Sequence, residues 1–301
     1  MEPELSIVIV TYNSAHDIEA CLDSVLPQCQ SIPVELFVVD NASFDGTVDL
    51  VRTRYPTATI IANALNRGFP AGNNQALRLA KGNYVLLLNP DTIALPGSIA
   101  ALLGYMRSHS ECGVCGPRLQ DISGRIWPDV RRPTLAVLLL NMLRVGNWVY
   151  ARDSASVSVV QGCCMVMSRA AVDAVGLLDE NLFWCEDVDY CVRVVRSGLS
   201  LAIVETAAIV HVGGQSGKQN VALMLQMQYV SKARYFAKNQ SRICACAAAA
   251  LLLFEATLKA VTWTLISVTS RKVEAGVRAR AYRVLLPKLA GAVVEGACGL
   301  S

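Results

Sequence analysis

The sequence predicts an α/β fold with a mostly parallel sheet, followed by a helical C-terminal extension. Three observations predict it. Short runs rich in Ile, Val and Leu alternate with helical patterns from Leu5 to Leu88. The first, second and fourth of these runs each end in a polar cluster. Beyond residue 240 the chain turns apolar and basic, so the expected division is 1–240 for the α/β domain and 241–301 for the extension.

The elements follow in order. Leu5–Val10 suits a strand buried on both faces. Ile18, Cys21, Leu22 and Val25 share one helical face, and Pro27 closes that helix. Val34–Val39 is the second strand and runs into Asp40. Thr47–Arg54 is a short helix stopped before Pro56. Thr59–Ala62 is a weak third strand, and Ala71–Lys81 is a helix ended by Gly82. Tyr84–Leu88 is the fourth strand. Val114–Ile126 reads as a hairpin turning at Asp121-Ile-Ser-Gly124. Arg131–Tyr150 is amphipathic around an apolar block at Leu135–Leu140, and Val157–Met167 is another strand. Leu199–Val204 and Ala207–Val212 read as two further strands, and Asn220–Lys238 as a helix.

In open α/β sheets, ligands bind beyond the carboxyl ends of the strands. The polar clusters sit there: Thr11-Tyr12-Asn13-Ser14, Asp40-Asn41-Ala42-Ser43 and Asn89-Pro90-Asp91. Asp91 is placed to hold a divalent cation, since Mg²⁺ and Mn²⁺ need few protein ligands when phosphate and water supply the rest. His211 is a second candidate ligand at the end of a predicted strand, followed by Gly213-Gly214.

Eleven residues, Asp179 to Asp189, carry the five carboxylates Asp179, Glu180, Glu186, Asp187 and Asp189 beside Leu182, Phe183 and Trp184. Acids beside large apolar groups are costly to bury, and that cost is tolerated where a carboxylate takes a proton or holds a metal. A second reading stays open: Val188, Cys191, Val192 and Val195 form one helical face, with Asp187 as N-cap and Gly198 as stop.

Composition narrows the function classes. At 53% hydrophobic the chain is neither low-complexity nor disordered. No basic stretch followed by an apolar run opens the chain, so no signal peptide is expected. Eleven irregularly spaced cysteines read as reduced core thiols, and Cys112-x-x-Cys115 has no second pair at zinc-site spacing. No dinucleotide fingerprint, Walker-type phosphate loop or nucleophile elbow appears. The net charge of +3 is uneven: residues 231–301 hold 11 Lys and Arg against 3 Glu. These basic residues flank an apolar segment, which favours a membrane surface over nucleic acid as partner. That segment, Ile243–Val268, is long enough to span a bilayer. Glu255 and Lys259 oppose a span, each costing about 2.5 kcal/mol or more at the bilayer centre. An in-plane helix or re-entrant hairpin anchored by Arg271, Lys272, Arg278, Arg280 and Arg283 fits better; a buried soluble helix is the other reading.

Four segments carry a resemblance: Ser6-Ile-Val-Ile-Val-Thr-Tyr-Asn-Ser14, Val38-Val-Asp-Asn-Ala-Ser-Phe-Asp-Gly-Thr47, Asn66-Arg-Gly-Phe-Pro-Ala-Gly-Asn-Asn74 and Leu86-Leu-Leu-Asn-Pro-Asp-Thr92. As an ordered set, completed by the carboxylate run and His211, they resemble family 2 glycosyltransferases of the GT-A fold, over roughly residues 4–240. Asn-Pro-Asp and Phe-Trp-Cys-Glu-Asp-Val-Asp look most like the rhamnosyltransferase-like branch.

The resemblance implies a Rossmann-like sheet with helices on both faces. It implies that Thr11, Tyr12, Asn13, Asp40 and Arg67 surround the donor's base and ribose, with Asp40 accepting from a uracil or thymine N–H. It implies that Asp91 and His211 bind Mg²⁺ or Mn²⁺. Asn89 stands where the family's metal motif has its first Asp, and can still contact ribose. Asp187 matches the family's general base and Glu186 its acidic neighbour; Glu186 and Asp189 are expected to raise the Asp187 pKa by like-charge repulsion. Phe183 and Trp184 are candidates for stacking on an acceptor sugar. The expected function is inverting, metal-assisted transfer of a sugar, such as L-rhamnose, from a dTDP- or UDP-sugar to a lipid-linked or glycan acceptor. The expected setting is cell-surface polysaccharide assembly at the cytoplasmic membrane face. A catalytically silent domain that binds nucleotide or glycan is the competing reading, motivated by Asn89.

Overall fold

The computed structural model describes residues 2–128, 132–142, 159–212, 221–270 and 272–298. They fall into two compact units. The first comprises residues 1–131, 155–180 and 186–213; the second comprises 132–154, 181–185 and 214–301.

The first unit is built on an eight-stranded sheet: β1 (Leu5–Thr11), β2 (Val34–Asp40), β3 (Thr59–Ala62), β4 (Tyr84–Leu88), β5 (Thr92–Ala94), β6 (Cys112–Gln120), β7 (Cys164–Ser168) and β8 (Ser200–His211), in the order β3-β2-β1-β4-β7-β6-β8-β5. Pairing is parallel from β3 to β4 and between β6 and β8; it is antiparallel at β4–β7, β7–β6 and β8–β5. All seven residues of β1 are buried, as a strand covered on both faces requires. Ile7, Ile9, Leu86 and Leu88 of β1 and β4 join one continuous core with Ile18, Leu22 and Val25 of helix α1 (Ile18–Val25).

Helix α2 (Thr47–Arg54) lies where its pattern predicts. Helix α3 spans Phe69–Leu77, so it starts before the expected Ala71 and ends four residues short of the expected Lys81. Gly68 sits just outside it at φ 83°, and Pro70 occupies the first turn, where a missing N–H costs nothing. Three further elements carry no sequence expectation: β5, helix α4 (Ser98–Ser108) and helix α6 (Arg169–Val175).

The two strands expected at 199–204 and 207–212 are one twelve-residue strand, β8. Its register against β6 steps from Pro117↔Val204 to Arg118↔Ala208, so Glu205, Thr206 and Ala207 form a bulge. The expected hairpin keeps its turn: the Asp121 carbonyl accepts the Gly124 N–H at 2.9 Å, with Gly124 at φ 81°. Its return arm shrinks to one bridge, Gln120↔Ile126. Strand β7 begins at Cys164; just before it the Cys164 N–H donates to the Gln161 carbonyl at 3.2 Å, so the described residues 159–163 of the expected strand are not extended into the sheet. Residues 143–158 and 213–220, which include Tyr150, Val157, Gly213-Gly214 and Asn220 of these expectations, lie outside the described residues, as do Arg131 and Arg271.

Helix α7 (Glu186–Arg196) buries Val188, Cys191, Val192 and Val194. Asp189, fully buried, pairs with Arg193 at 2.8 Å. The Arg193 guanidinium also donates to the carbonyls of Val175 and Leu177, at 2.5 and 2.9 Å. The pair therefore straps the chain entering the carboxylate run. The Asn74 side chain holds the same segment from α3, bonding the Leu178 backbone at both N–H and C=O and donating to Glu180.

The second unit is helical: α5 (Leu135–Met142), α8 (Val221–Asn239), α9 (Arg242–Ser270) and α10 (Val273–Cys298). Helices α8, α9 and α10 pack on one another, and α5 packs on α9. Helix α10 is longer than any helical stretch expected there, and it contains Pro287.

Candidate active site

Side chains zip the loops after β1 and β2 together. Thr11 donates its hydroxyl to Asp40 Oδ1 at 2.8 Å, and the Ser43 hydroxyl and N–H donate to Asp40 Oδ1 and Oδ2 at 2.5 and 2.8 Å. Thr11 is fully buried, so it braces Asp40 from behind. Asp40 Oδ2 accepts only the Ser43 N–H of these, which leaves that oxygen a lone pair for a ligand N–H. The Asn13 N–H donates to Ser43 Oγ at 2.8 Å, and Asn13 Oδ1 accepts the Phe44 N–H at 3.0 Å. The Tyr12 N–H donates to Ser14 Oγ at 3.3 Å. Burial pushes Asp45 up, but the Thr47 hydroxyl and the N–H groups of Ala15 and Thr47 outweigh it and hold that carboxyl below its ordinary value. Asn41 ties this corner to the 63–68 loop. Its amide donates to the Gly68 carbonyl at 3.1 Å, and its oxygen accepts the Arg67 N–H at 3.4 Å, leaving the Arg67 side chain exposed.

The second cluster lies after β4. His211 Nε2 is 3.3 Å from Asp91 Oδ1, an arrangement fixed by the β5–β8 pairing of Thr92 with His211. The Trp127 ring packs on the His211 ring at 5.1 Å. His211 Nδ1 and Asn89 Oδ1 are buried with no hydrogen-bond partner among the described residues. A carboxylate, an imidazole nitrogen and an unpartnered amide oxygen fit Mg²⁺ or Mn²⁺ completed by phosphate and water. Among the described residues no group of three His, Cys, Asp or Glu side chains converges as a closed metal site.

The third cluster is Asp187. Its Oδ2 accepts the Gly162 N–H at 3.0 Å and its Oδ1 the Val188 N–H at 2.7 Å. Burial raises its pKa, and these two hydrogen bonds only partly oppose the rise. The direction agrees with the sequence expectation; the cause does not. Burial, not carboxylate repulsion, drives the shift, and Asp189 is turned to Arg193 instead. Glu186 is buried next to Asp187.

Two adjacent residues join the second and third clusters. Gly162 gives its N–H to Asp187, and the next residue, Cys163, accepts the Asn89 N–H at 2.9 Å. The Cys163 thiol is pushed up first by burial and then by the charges of Asp187 and Asp91 together, so both carboxylates lie close to one buried side chain. Sequence reasoning gave Gly162, Cys163 and Trp127 no part in the site and placed Ser43 only within the polar cluster after the second strand. Gly162 had a usable signal, since a glycine inside a predicted strand marks a bulge or a close approach. Trp127 had none.

Phe183 and Trp184 belong to the second unit, where the Ser231 hydroxyl donates to the Phe183 carbonyl. Trp184 is at φ 91°, an outlier for a bulky residue. Among the described residues, the non-glycine residues at positive φ are Asn13, Ala42 and Trp184, all in segments expected to form the site. Strain of this kind gathers where the surrounding structure enforces a working geometry.

The sequence matches glycosyl transferase family 2 over residues 6–176. The chain belongs to that family. Curated relatives include N-acetylglucosaminyl-diphospho-decaprenol L-rhamnosyltransferase of Mycobacterium tuberculosis, 27% identical over 80% of this chain and 86% of the relative. The family 2 assignment and this relative make the chain a glycosyltransferase of the rhamnosyltransferase-like branch. Among solved structures, the mannosyltransferase PcManGT of Pyrobaculum calidifontis, in complex with GDP-Man and Mn²⁺, superposes with a TM-score of 0.59 at 17% identity, covering 98% of this chain and 87% of that one. S. aureus TarS 1–349 in complex with UDP gives 0.54 at 15% identity, covering 93% and 91%. At such identities the likeness shows the fold, which is GT-A.

Proposed function

We propose that this family 2 glycosyltransferase moves a sugar, L-rhamnose for preference, from a dTDP- or UDP-sugar to a lipid-linked acceptor, with inversion and with Mg²⁺ or Mn²⁺, in cell-surface polysaccharide assembly. Residues 1–240 carry the transfer, and residues 241–301 hold the enzyme at the cytoplasmic face of the membrane. The observation that carries the reading is the pair of adjacent residues Gly162 and Cys163: the Gly162 N–H holds Asp187 and the Cys163 carbonyl holds the N–H of Asn89, which opens the turn to Asp91. Inverting transfer needs this pairing: a base toward the acceptor hydroxyl and a stabilised diphosphate leaving group.

Asp187 takes the acceptor proton. Its pKa, raised by burial, makes it a stronger base than an ordinary carboxylate. Its two N–H donors fix the carboxylate plane, and a single inverting displacement with Asp187 as base forms no covalent intermediate. Asp91 and His211 would hold the cation, which would neutralise charge on the departing diphosphate. Asp40, braced by Thr11 and Ser43, accepts the pyrimidine N–H, with Tyr12, Asn13 and Arg67 around base and ribose. Phe183 and Trp184 take the acceptor sugar. Some of the finer choices have support from relatives: the mycobacterial enzyme is named for rhamnosyl transfer to a lipid diphosphate, and one solved neighbour was captured with Mn²⁺ (and GDP-Man), another with UDP.

Calorimetric titration of uridine, thymidine and guanosine diphosphates, with and without Mn²⁺, tests the donor half. A pyrimidine diphosphate is expected to bind in a Mn²⁺-dependent manner that Asp91→Ala abolishes. No binding under any condition would remove the donor site and favour the silent-domain reading.

A further inference from the structure

Helix α9 has two unlike sides. Ala248, Leu252, Ala256 and Ala260 are buried in the helical unit. On the opposite side Ile243, Phe254, Leu258, Val261, Leu265 and Val268 are exposed, at 84, 59, 52, 52, 60 and 73%. Their spacing from Phe254 onward is 4, 3, 4 and 3, a single stripe along the helix. No charged residue lies on the exposed side between Ile243 and Ser270. A face that met water over 26 residues, roughly 39 Å at the helical rise, would carry charges.

The two charges of this segment turn away from the stripe. Glu255 and Lys259 pair at 2.6 Å, and Lys259 also donates to the Tyr229 hydroxyl of α8 at 3.1 Å. The hydroxyls on the exposed side are satisfied by the helix itself. Thr257, Thr262 and Thr269 each donate to the carbonyl one turn back, at 2.8, 2.8 and 2.9 Å. Hydroxyls in lipid must do this, because no water is there to take the bond. Helix α5, which packs on α9, has the same character: seven of its eight residues are apolar, and Leu138 alone is buried.

Length and composition alone would let α9 cross a membrane. Its packing opposes that. The helices against its buried side carry Lys232, Arg234 and Lys238 on α8 and Arg278, Arg280, Arg283 and Lys288 on α10. Arg278 lies 4.8 Å over the Trp263 ring, and Arg283 donates to Thr264, so basic groups run beside α9 itself. A span would draw several of them into hydrocarbon. The same groups suit anionic headgroups when the helix lies flat. They also disfavour a second copy as occupant, since each copy's residues 231–301 hold 11 basic against 3 acidic residues.

We propose that α9 lies in the plane of an anionic bilayer, with the stripe from Ile243 to Val268 and the apolar helix α5 sunk among acyl chains and the basic groups of α8 and α10 at the headgroups. The proposal rests on the membrane-associated reading above but is tested apart from it. The full chain carrying Cys244→Ala and Cys246→Ala is labelled with an environment-sensitive fluorophore at Phe254→Cys, Val261→Cys or Val268→Cys. Depth-dependent quenching is then read in vesicles of phosphatidylcholine with and without phosphatidylglycerol. The expected result is one shallow depth at all three positions, about 5–10 Å below the headgroups, on phosphatidylglycerol vesicles. A depth that changes steeply along the helix means a span and overturns the proposal. No quenching, with a dimer in solution, means a second copy covers the face and also overturns it. Leu258→Glu with Leu265→Glu, both at exposed sites, is expected to lower vesicle flotation about ten-fold or more with an unchanged circular dichroism spectrum. Unchanged flotation also sinks the proposal. Transfer to a water-soluble acceptor analogue is measured on the same variant. If the wild-type enzyme fails that assay, the function reading falls while quenching and flotation still decide the orientation.

Discussion

Asp187 is a carboxylate whose pKa is raised by burial while two backbone N–H groups keep it aimed. A base must be ionised to take a proton, so transfer is expected to fail as pH falls through that raised pKa. The acid limb of the pH–rate profile should lie above the usual carboxylate value of about 4; a limb at or below it would place the base elsewhere. Asn89 gives a second handle. Its buried oxygen has no partner among the described residues and sits in the turn that leads to Asp91. Asn89→Asp is expected to tighten Mn²⁺ binding in the presence of nucleoside diphosphate, and calorimetry reads the change directly. Much of this site was legible in the sequence, because polar residues at strand ends stand out against the Ile, Val and Leu before them. What was not legible is made by the backbone: the Gly162 N–H and the Cys163 carbonyl carry no side-chain signature. The cause of the Asp187 shift was equally hidden, since five neighbouring carboxylates suggest repulsion until Asp189 is seen paired with Arg193.

At the scale of elements, the early strands and helices followed their patterns, and the departures have physical reasons. Strand β5 has three residues, too few for any periodicity. Helix α4 mixes Ser, Ala and Gly among its apolar positions, which blurs its face. In β8 the polar pair Glu205-Thr206 reads as a break between strands but is a bulge that the long strand absorbs. Two substitutions test how the elements are held. A Cβ at Gly82 would lie 2.6 Å from the Ser6 backbone nitrogen and 2.8 Å from the Tyr84 carbonyl, two backbone atoms that cannot swing aside as the Ser6 hydroxyl, also at 2.6 Å, could. Gly82→Ala is therefore expected to destabilise the fold by about 1–3 kcal/mol, seen as a lower urea midpoint. Asp189→Ala leaves Arg193 without its carboxylate, and should cost about 3–5 kcal/mol. A thermal midpoint unchanged by Asp189→Ala would mean that the strap on residues 175–177 does not depend on the pair.

For the whole molecule, the chain combines a GT-A unit with a helical unit whose apolar side has no charges to keep it in water. The C-terminal apolar segment was visible in the sequence, with an in-plane helix or re-entrant hairpin favoured over a span, but which side of it faces out was not. Only packing shows Glu255 and Lys259 turned to Tyr229 and the stripe turned outward. The extension was expected to be helical, but Gly276, Pro287 and Gly291 interrupt the pattern of helix α10, so the sequence set no bounds for it. The account centres on transfer with Asp187 as base, and one comparison tests it most directly: wild type against Asp187→Asn, measured for donor binding and for sugar transfer. The account predicts unchanged donor affinity and a rate lowered about 10²-fold or more. Transfer by Asp187→Asn at the wild-type rate would contradict it.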